Sequence, residues 1–182
     1  MIPKIIHYCW FGGNPKPELA EKCIASWKKY LPEYDYIEWN EDNFPLDKFP
    51  YAKQALKAKK YAYMTDVVRL YALKEFGGIY MDTDVEVLKP LDRFLNNSAF
   101  SGFENNLQLP TGIMGAEKQS KWATDMLAYY DGKDFLDEKG NPILTTNVVI
   151  ISMLMKEKGF ILNNTLQKKE NYITFYPSEY FC

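Results

Sequence analysis

The chain has 182 residues, 47% hydrophobic and 16% aromatic, enough to bury a full core in one domain spanning residues 1–182. A formal net charge of -2, with no basic cluster larger than the local "KAKK", supplies no field for nucleic acid and argues against it as a partner. No apolar run approaches the roughly 20 residues of a membrane span, and "MIPKIIHYCWFGG" lacks the length and cleavage site of a signal peptide. The three cysteines show no C-x-x-C spacing and so suggest neither a disulfide framework nor a zinc site; a cytoplasmic location is expected.

In chain order, "KIIHYCWF" is rich in β-formers and stops at Gly12-Gly13, which predicts a buried strand with a turn at its carboxyl end. "PELAEKCIASWKKYLP" sets Ala20, Cys23, Ile24, Trp27 and Leu31 at helical spacing between Pro17 and Pro32, and "YDYIEWN" reads as a second strand. Strand, helix and strand in that order predict a parallel pair with a right-handed crossover. After the proline-punctuated loop "NFPLDKFP", Ala52 to Phe76 carries the strongest helical signal, a stripe of Met64, Val67, Val68, Tyr71, Ala72 and Phe76 closed by Gly77-Gly78. The strand "IYMDTDVEVL" follows at once. "AFSGFE" and "TGIMGAE" predict two short strands around the turn "NNLQLP", and "SKWATDMLAYY" returns to helical period. "TTNVVIISMLMKEKGF" reads as a helix capped near Thr145, Thr146 or Asn147, although "VVII" also suits a strand, and "NYITFYPSEYFC" ends the chain in another strand. The alternation predicts an α/β domain with a mostly parallel sheet. Ligands of such sheets bind beyond the carboxyl ends of the strands, where "WFGG" and "DTD" both fall.

Alternation along a strand would send Asp82 and Asp84 to one side, where like charges resist joint ionisation unless a cation neutralises them. Oxygen-only ligands favour Mn²⁺ or Mg²⁺, ions that keep positions for water and substrate phosphate. An isolated D-x-D is more often a solvated turn, so its surroundings decide. Asp66 and Arg69 lie three apart on one helix and share a face, as an ion pair or as ligand-binding groups. Tyr80 alternates with Ile79 and Met81 and fits either the core or a ligand-lining position. His7, the only histidine, has no nucleophile motif beside it and reads as a packed core residue.

Three segments, "IPKIIHYCWFGG", "YAYMTDVVRLYALKEFGGIYMDTDVEVL" and "NPILTTN", resemble the DXD-containing glycosyltransferases of the Och1-like, capsular-polysaccharide type. More distantly they are similar to the glucosyltransferase domains of the large clostridial toxins. The resemblance implies a GT-A fold, a UDP- or GDP-hexose donor, Mn²⁺ dependence, retention of anomeric configuration and a role in polysaccharide biosynthesis such as capsule formation. It implies a glycan or lipid-linked hydroxyl as acceptor and allows peripheral contact with the inner face of the membrane. By the same resemblance Asp84 binds the metal, Asp82 is shared between metal and donor ribose, and Asp66 contacts sugar hydroxyls. Arg69 then reaches the sugar or the diphosphate, and Trp10 stacks on the nucleobase.

A double displacement would need a group on the sugar face opposite the leaving phosphate, for which Glu104 and the neutral Asn147 are candidates; front-face substitution is the expected route. Relatives of this type continue past a "YPSEYF"-like strand into a tail whose His and Trp residues complete the metal shell, so the chain is expected to lack that lid segment. Two other readings compete. A HAD-like phosphohydrolase also carries D-x-D-x-[TV], but normally on the first strand of its domain, whereas here about eighty residues of α/β pattern precede it. A noncatalytic nucleotide-sugar or glycan-binding module on the same fold is the other.

Overall fold

Strand β1 (Ile5–Cys9) and strand β2 (Asp35–Trp39) are joined through helix α1 (Glu18–Tyr30) and pair in parallel, from Ile5↔Asp35 to Cys9↔Trp39. This is the predicted crossover. In α1, Ala20, Cys23 and Trp27 recur at helical spacing and are buried, and the Trp27 indole N–H donates to Val85 O at 2.7 Å. Strand β3 (Gly78–Met81) lies on the other side of β1, also in parallel, with Ile6 opposite Ile79 and His7 opposite Tyr80. The strand order therefore reverses at β1. In open α/β sheets ligands bind at such a switch point, here beyond the carboxyl ends of β1 and β3.

The computed structural model describes residues 1–105 and 107–182; Asn106, within the predicted "NNLQLP" turn, lies outside the described residues. Strands β4 (Ala99–Gly102), β5 (Ile113–Ala116), β6 (Gln167–Lys169) and β7 (Ile173–Tyr176) complete one seven-stranded sheet of order β2-β1-β3-β5-β4-β7-β6. The sheet is mixed rather than mostly parallel: β3-β5, β5-β4 and β7-β6 are antiparallel, while β4-β7 is parallel. The reason is connection chemistry. Strands β4 and β5 are joined by a loop without a crossover helix, and such neighbours pair antiparallel. Strand β6, "QKK", was not expected, because an exposed Lys-rich edge strand has no apolar alternation to read.

The predicted helix over Ala52–Phe76 is two helices, α2 (Pro50–Lys57) and α3 (Tyr61–Phe76). Between them Lys59 takes φ 56°, Lys59 N–H bonds Leu56 O and Lys60 N–H bonds Ala55 O. That double bond pattern is a Schellman turn with lysine where glycine is usual, so no glycine announces the break. Helix α3 buries residues all round, from Met64 and Val67 to Arg69 and Leu73, because α2 and the helix over residues 121–128 pack beside it and the sheet lies beneath. Gly77 and Gly78 then turn the chain straight into β3. A Cβ at Gly77 would sit 2.6 Å from Lys118 N, and one at Gly78 2.5 Å from Ile5 O, so the pair is required by close approach. Helix α4 (Lys121–Ala128) is capped by Ser120 Oγ, which accepts from Ala123 N–H at 3.1 Å. Residues 147–157 form helix α5 (Asn147–Glu157), which decides "VVII" in favour of a helix.

His7 is fully buried, with Nε2 2.7 Å from Gly77 O and Nδ1 3.2 Å from Trp39 Nε1. Indole only donates, so Nδ1 accepts and the proton rests on Nε2, which makes the ring neutral. Burial pushes its pKa down to about 4. The unfolded chain takes up that proton near pH 6.5, so this contribution is complete above about pH 6.5 and is lost as pH falls toward about 4. Its size is about 3 kcal/mol. Urea unfolding of the parent between about pH 7.5 and about pH 4 should show that extra loss relative to His7→Gln, whose amide keeps a donor and an acceptor. Parallel curves for the two proteins would remove His7 as the cause.

Candidate active site

Four elements converge at the carboxyl end of β3: α3 brings Asp66 and Arg69, β3 and its turn bring Tyr80 and Asp82, the loop before β5 brings Thr111 and Gly112, and α5 begins with Asn147. Arg69 is their hub. Its Nη1 donates to Thr111 O at 2.8 Å and to Thr111 Oγ1 at 2.9 Å, and lies 3.4 Å from Asp82 Oδ1. Its Nε donates to Thr65 O at 3.3 Å, and Nη2 lies 3.4 Å from both Thr65 Oγ1 and Asp66 Oδ1. The guanidinium sits 4.7 Å over the Tyr80 ring, and the Tyr80 hydroxyl donates to Asp82 Oδ1 at 2.8 Å. Asp66 Oδ2 accepts the Asn147 backbone N–H at 3.1 Å, and the Tyr130 hydroxyl donates to Asn147 Oδ1 at 3.2 Å. Five of the sequence candidates, Asp66, Arg69, Tyr80, Asp82 and Asn147, thus share one bonded network.

Burial sets the electrostatics. It pushes the Asp66 carboxyl up to about 6, against the pull of the Arg69 guanidinium and the Asn147 N–H. Burial also works against the Arg69 charge, but the carboxylates of Asp82 and Asp66 outweigh it and hold the guanidinium charged. Tyr80 and Tyr130 are raised by burial, so both remain phenols able to donate. Burial pushes the Cys9 thiol up to about 12, which makes it inert beside the site.

The two DTD acids differ in environment. The strand stops at Met81, and Asp82–Asp84 turn instead, with Val85 N–H bonding Asp82 O at 3.0 Å; the expectation that strand alternation aligns the two is therefore corrected. The β5 partner of Met81 is Ile113, and before it Gly112 O takes one last ladder bond, from Asp82 N–H at 2.8 Å. Asp82 is half-buried, with Oδ1 held in the network and Oδ2 facing Gly112, where a Cβ would come within 3.3 Å. Asp84 is exposed and forms no hydrogen bond or ion pair among the described residues. One oxygen of Asp82 and the carboxylate of Asp84 form a hard, oxygen-only donor set that fits Mn²⁺ or Mg²⁺. No three His, Cys, Asp or Glu side chains converge among the described residues.

Trp10 follows β1 on the neighbouring strand end. Its backbone N–H bonds Trp39 O at 2.9 Å, its indole N–H donates to Asn14 O at 2.6 Å, and Lys16 Nζ lies 5.5 Å from the ring centroid. The half-buried ring thus has its polar atom satisfied within its own loop and keeps a face for contact. Glu104 stands apart: it is exposed on the loop after β4, outside the Arg69 network, and its charge neighbours the Cys182 thiol, which burial and then Glu104 push up. The sequence reading missed Thr65, Thr111 and Tyr130. Only Gly112, beside Thr111, left a mark in the sequence; a lone Thr or Tyr, in a helix as at Thr65 or in a loop as at Thr111, carries none.

A mixed α/β sheet whose order reverses at β1, with a D-x-D turn backed by a buried Asp–Arg pair at the carboxyl end of β3, is the kind of arrangement found in glycosyltransferases of the GT-A fold. Residues 17–101, which include the long middle segment that carried the resemblance, match the family described as "Glycosyltransferase sugar-binding region containing DXD motif". Inositol phosphoceramide mannosyltransferase 3 of Schizosaccharomyces pombe is 32% identical over 119 residues, covering 58% of this chain and 32% of the relative. Mannosyl phosphorylinositol ceramide synthase SUR1 of Saccharomyces cerevisiae is 26% identical over 171 residues, covering 86% of this chain and 42% of the relative. The chain therefore spans about a third to two-fifths of the length of these relatives. Among solved structures, PaToxG Glycosyltransferase superposes with a TM-score of 0.63 at 18% identity, over 87% of this chain and 71% of that one, a likeness of fold. These matches favour sugar transfer over the phosphohydrolase that D-x-D-x-V also allowed. No helix among the described residues is long and apolar enough to cross a membrane.

Proposed function

We propose that the chain moves a hexose from a UDP- or GDP-sugar to a hydroxyl of a glycan or lipid-linked acceptor, with metal dependence and retention, in polysaccharide biosynthesis such as capsule formation. The observation that carries this reading is the half-buried Asp82, fixed by Arg69 and Tyr80 beside the solvent-facing Asp84. A bound Mn²⁺ or Mg²⁺ would offset the charge that grows on a nucleoside diphosphate leaving group. The residues divide around that point. Asp82 and Asp84 face the diphosphate, and Trp10, at the end of β1, offers its ring to the base. Asp66 and Asn147 form the sugar side, where the buried Asn147 Nδ2 has no hydrogen-bond partner and can donate to a sugar hydroxyl. Arg69 uses its donors within the chain and acts as a positioning residue for Asp82 and Asp66. Glu104 lies outside this network, which favours front-face substitution, in which the leaving phosphate takes the acceptor proton.

Mannose is the sugar named in two relatives, which makes GDP-mannose the first donor to test beside UDP-hexoses. Each donor is incubated with the chain and Mn²⁺, and sugar release and thermal stabilisation are measured. One donor should be hydrolysed and should raise the melting temperature. Binding without turnover would leave a noncatalytic module, and no response to any sugar nucleotide would overturn the reading. Trp10→Ala should weaken nucleotide binding by about 1 to 3 kcal/mol, while Trp10→Phe keeps most of the stacking. Equal affinities in a fluorescence titration of Trp10→Ala and the parent would return Trp10 to a structural role.

A further inference from the structure

Strands β1 and β2 end side by side, with Cys9 opposite Trp39, and each runs directly into a loop: residues 10–16 after β1 and residues 40–44 after β2. The second of these is a stitched turn. Asn43 Oδ1 accepts Asn40 N–H at 2.9 Å, Asn40 Oδ1 accepts Asp42 N–H at 3.0 Å, and Asn43 Nδ2 donates to Glu38 O at 2.7 Å. Phe44 then anchors the turn in the core, stacked on Phe49. Glu41 stands on this firm base, exposed and, unlike Glu38, in no ion pair among the described residues.

The loop after β1 has far less of its own to hold it. Gly12 and Gly13 take φ 88° and 67°, and such glycines have the most backbone freedom to lose on ordering. The Trp10 indole N–H uses its bond inside the loop, on Asn14 O at 2.6 Å. Among the described residues, the one backbone group of residues 11–15 that bonds outside the loop is Gly12 N–H, which donates to Glu41 Oε1 at 2.6 Å. That bond is charge-assisted, the stronger kind. Tyr61 packs at the same residue, since a Cβ added to Gly12 would lie 3.2 Å from its hydroxyl.

We propose that Glu41 is a positioning residue for nucleotide binding: its carboxylate ties the Gly12-Gly13 loop to the stitched turn after β2 and so holds the Trp10 ring where the base stacks. This rests on Trp10 being the residue that takes the base. A loop ordered only part of the time binds with an affinity reduced by that fraction, so untying Gly12 weakens the nucleotide without removing an atom that touches it. A carboxylate that met the nucleotide directly would behave differently, because its loss would matter with or without Trp10.

The test uses the whole chain labelled with fluorotryptophan, the Trp10 fluorine line being assigned by its loss in Trp10→Phe. Without nucleotide, Glu41→Ala should move that line toward the position of free fluorotryptophan in water and leave Trp27 and Trp122 unmoved. Glu41→Gln, which keeps an oxygen for Gly12 N–H, should restore the parental line. Calorimetric titration of UDP and GDP with Mn²⁺ then reads the functional effect, with equal melting temperatures showing that the variants are folded. For the nucleotide that the parent binds, Glu41→Ala should weaken affinity about tenfold, and Glu41→Gln should stay within about twofold of the parent. In a Trp10→Ala background the same Glu41→Ala change should cost less than about twofold. An unchanged Trp10 line in Glu41→Ala beside normal nucleotide binding would overturn the role of Glu41 alone, as would a tenfold loss that persists without Trp10. A shifted line in a chain whose parent binds neither nucleotide would overturn the sugar-nucleotide reading and this role with it.

Discussion

Asp82→Asn should lower metal-dependent donor turnover about 10³-fold, the size expected when a fixed charge facing a leaving group is lost. The amide is nearly isosteric and keeps an oxygen for the Tyr80 hydroxyl, which reaches Asp82 Oδ1 at 2.8 Å, so the turn and its bond to Gly112 should survive. The change therefore separates charge from shape. Asp84→Ala removes an exposed side chain with no bond to break among the described residues, so its effect on stability should stay within about 0.5 kcal/mol while activation by Mn²⁺ is lost. Steady-state rates across a Mn²⁺ titration measure both. Parental turnover in either variant would place the reacting phosphate elsewhere.

Arg69→Met should destabilise the fold by about 3 to 5 kcal/mol, the usual cost of leaving one member of a buried charge pair without its partner. Arg69 is 6% exposed and its fork binds Thr111, Thr65, Asp66 and Asp82 at once. Met matches much of the volume but satisfies none of these oxygens. Arg69→Lys should recover little, because one ammonium cannot span both Thr111 and the two carboxylates. Adding Asp82→Asn to Arg69→Met should cost less than the two single effects summed, since the carboxylate left unpaired by the first change is gone in the second. Urea midpoints read all four proteins. A loss under about 1 kcal/mol for Arg69→Met, or strict additivity, would mean that the network is not what holds Asp82.

Much of this arrangement was legible in the residues. Ala20, Cys23 and Trp27 marked the buried face of α1, and the glycine pairs marked where β1 ends and where β3 begins. The switch point at β1 followed from strand, helix and strand in order. Other parts depend on partners far apart in sequence. The Ala58–Lys60 break needs an αL residue, and lysine gives no sign of it, whereas glycine would have. The mixed sheet follows from β5 inserting between β3 and β4, which depends on tertiary packing rather than on periodicity. The end of β3 at Met81 is set by where the β5 partner begins, so alternation carried the strand on through the DTD turn to Leu88 and aligned two acids that lie in a turn. Asp66 and Arg69 illustrate the remaining limit. Their spacing put them on one face, but only the fold shows the i, i+3 contact and the Asp82 contact existing together.

Asp82 and Asp84 are proposed to join a divalent metal to a nucleoside diphosphate at the carboxyl end of β3. Calorimetric titration of UDP and GDP, with and without Mn²⁺, into the parent and Asp84→Ala measures it directly. In the parent, Mn²⁺ should tighten one nucleotide at least tenfold, and that nucleotide should tighten Mn²⁺ by the same factor, because the coupling is reciprocal. In Asp84→Ala the enhancement should vanish while the weaker metal-independent binding remains. Nucleotide affinity that ignores Mn²⁺ in the parent, or an enhancement that survives in Asp84→Ala, would contradict it.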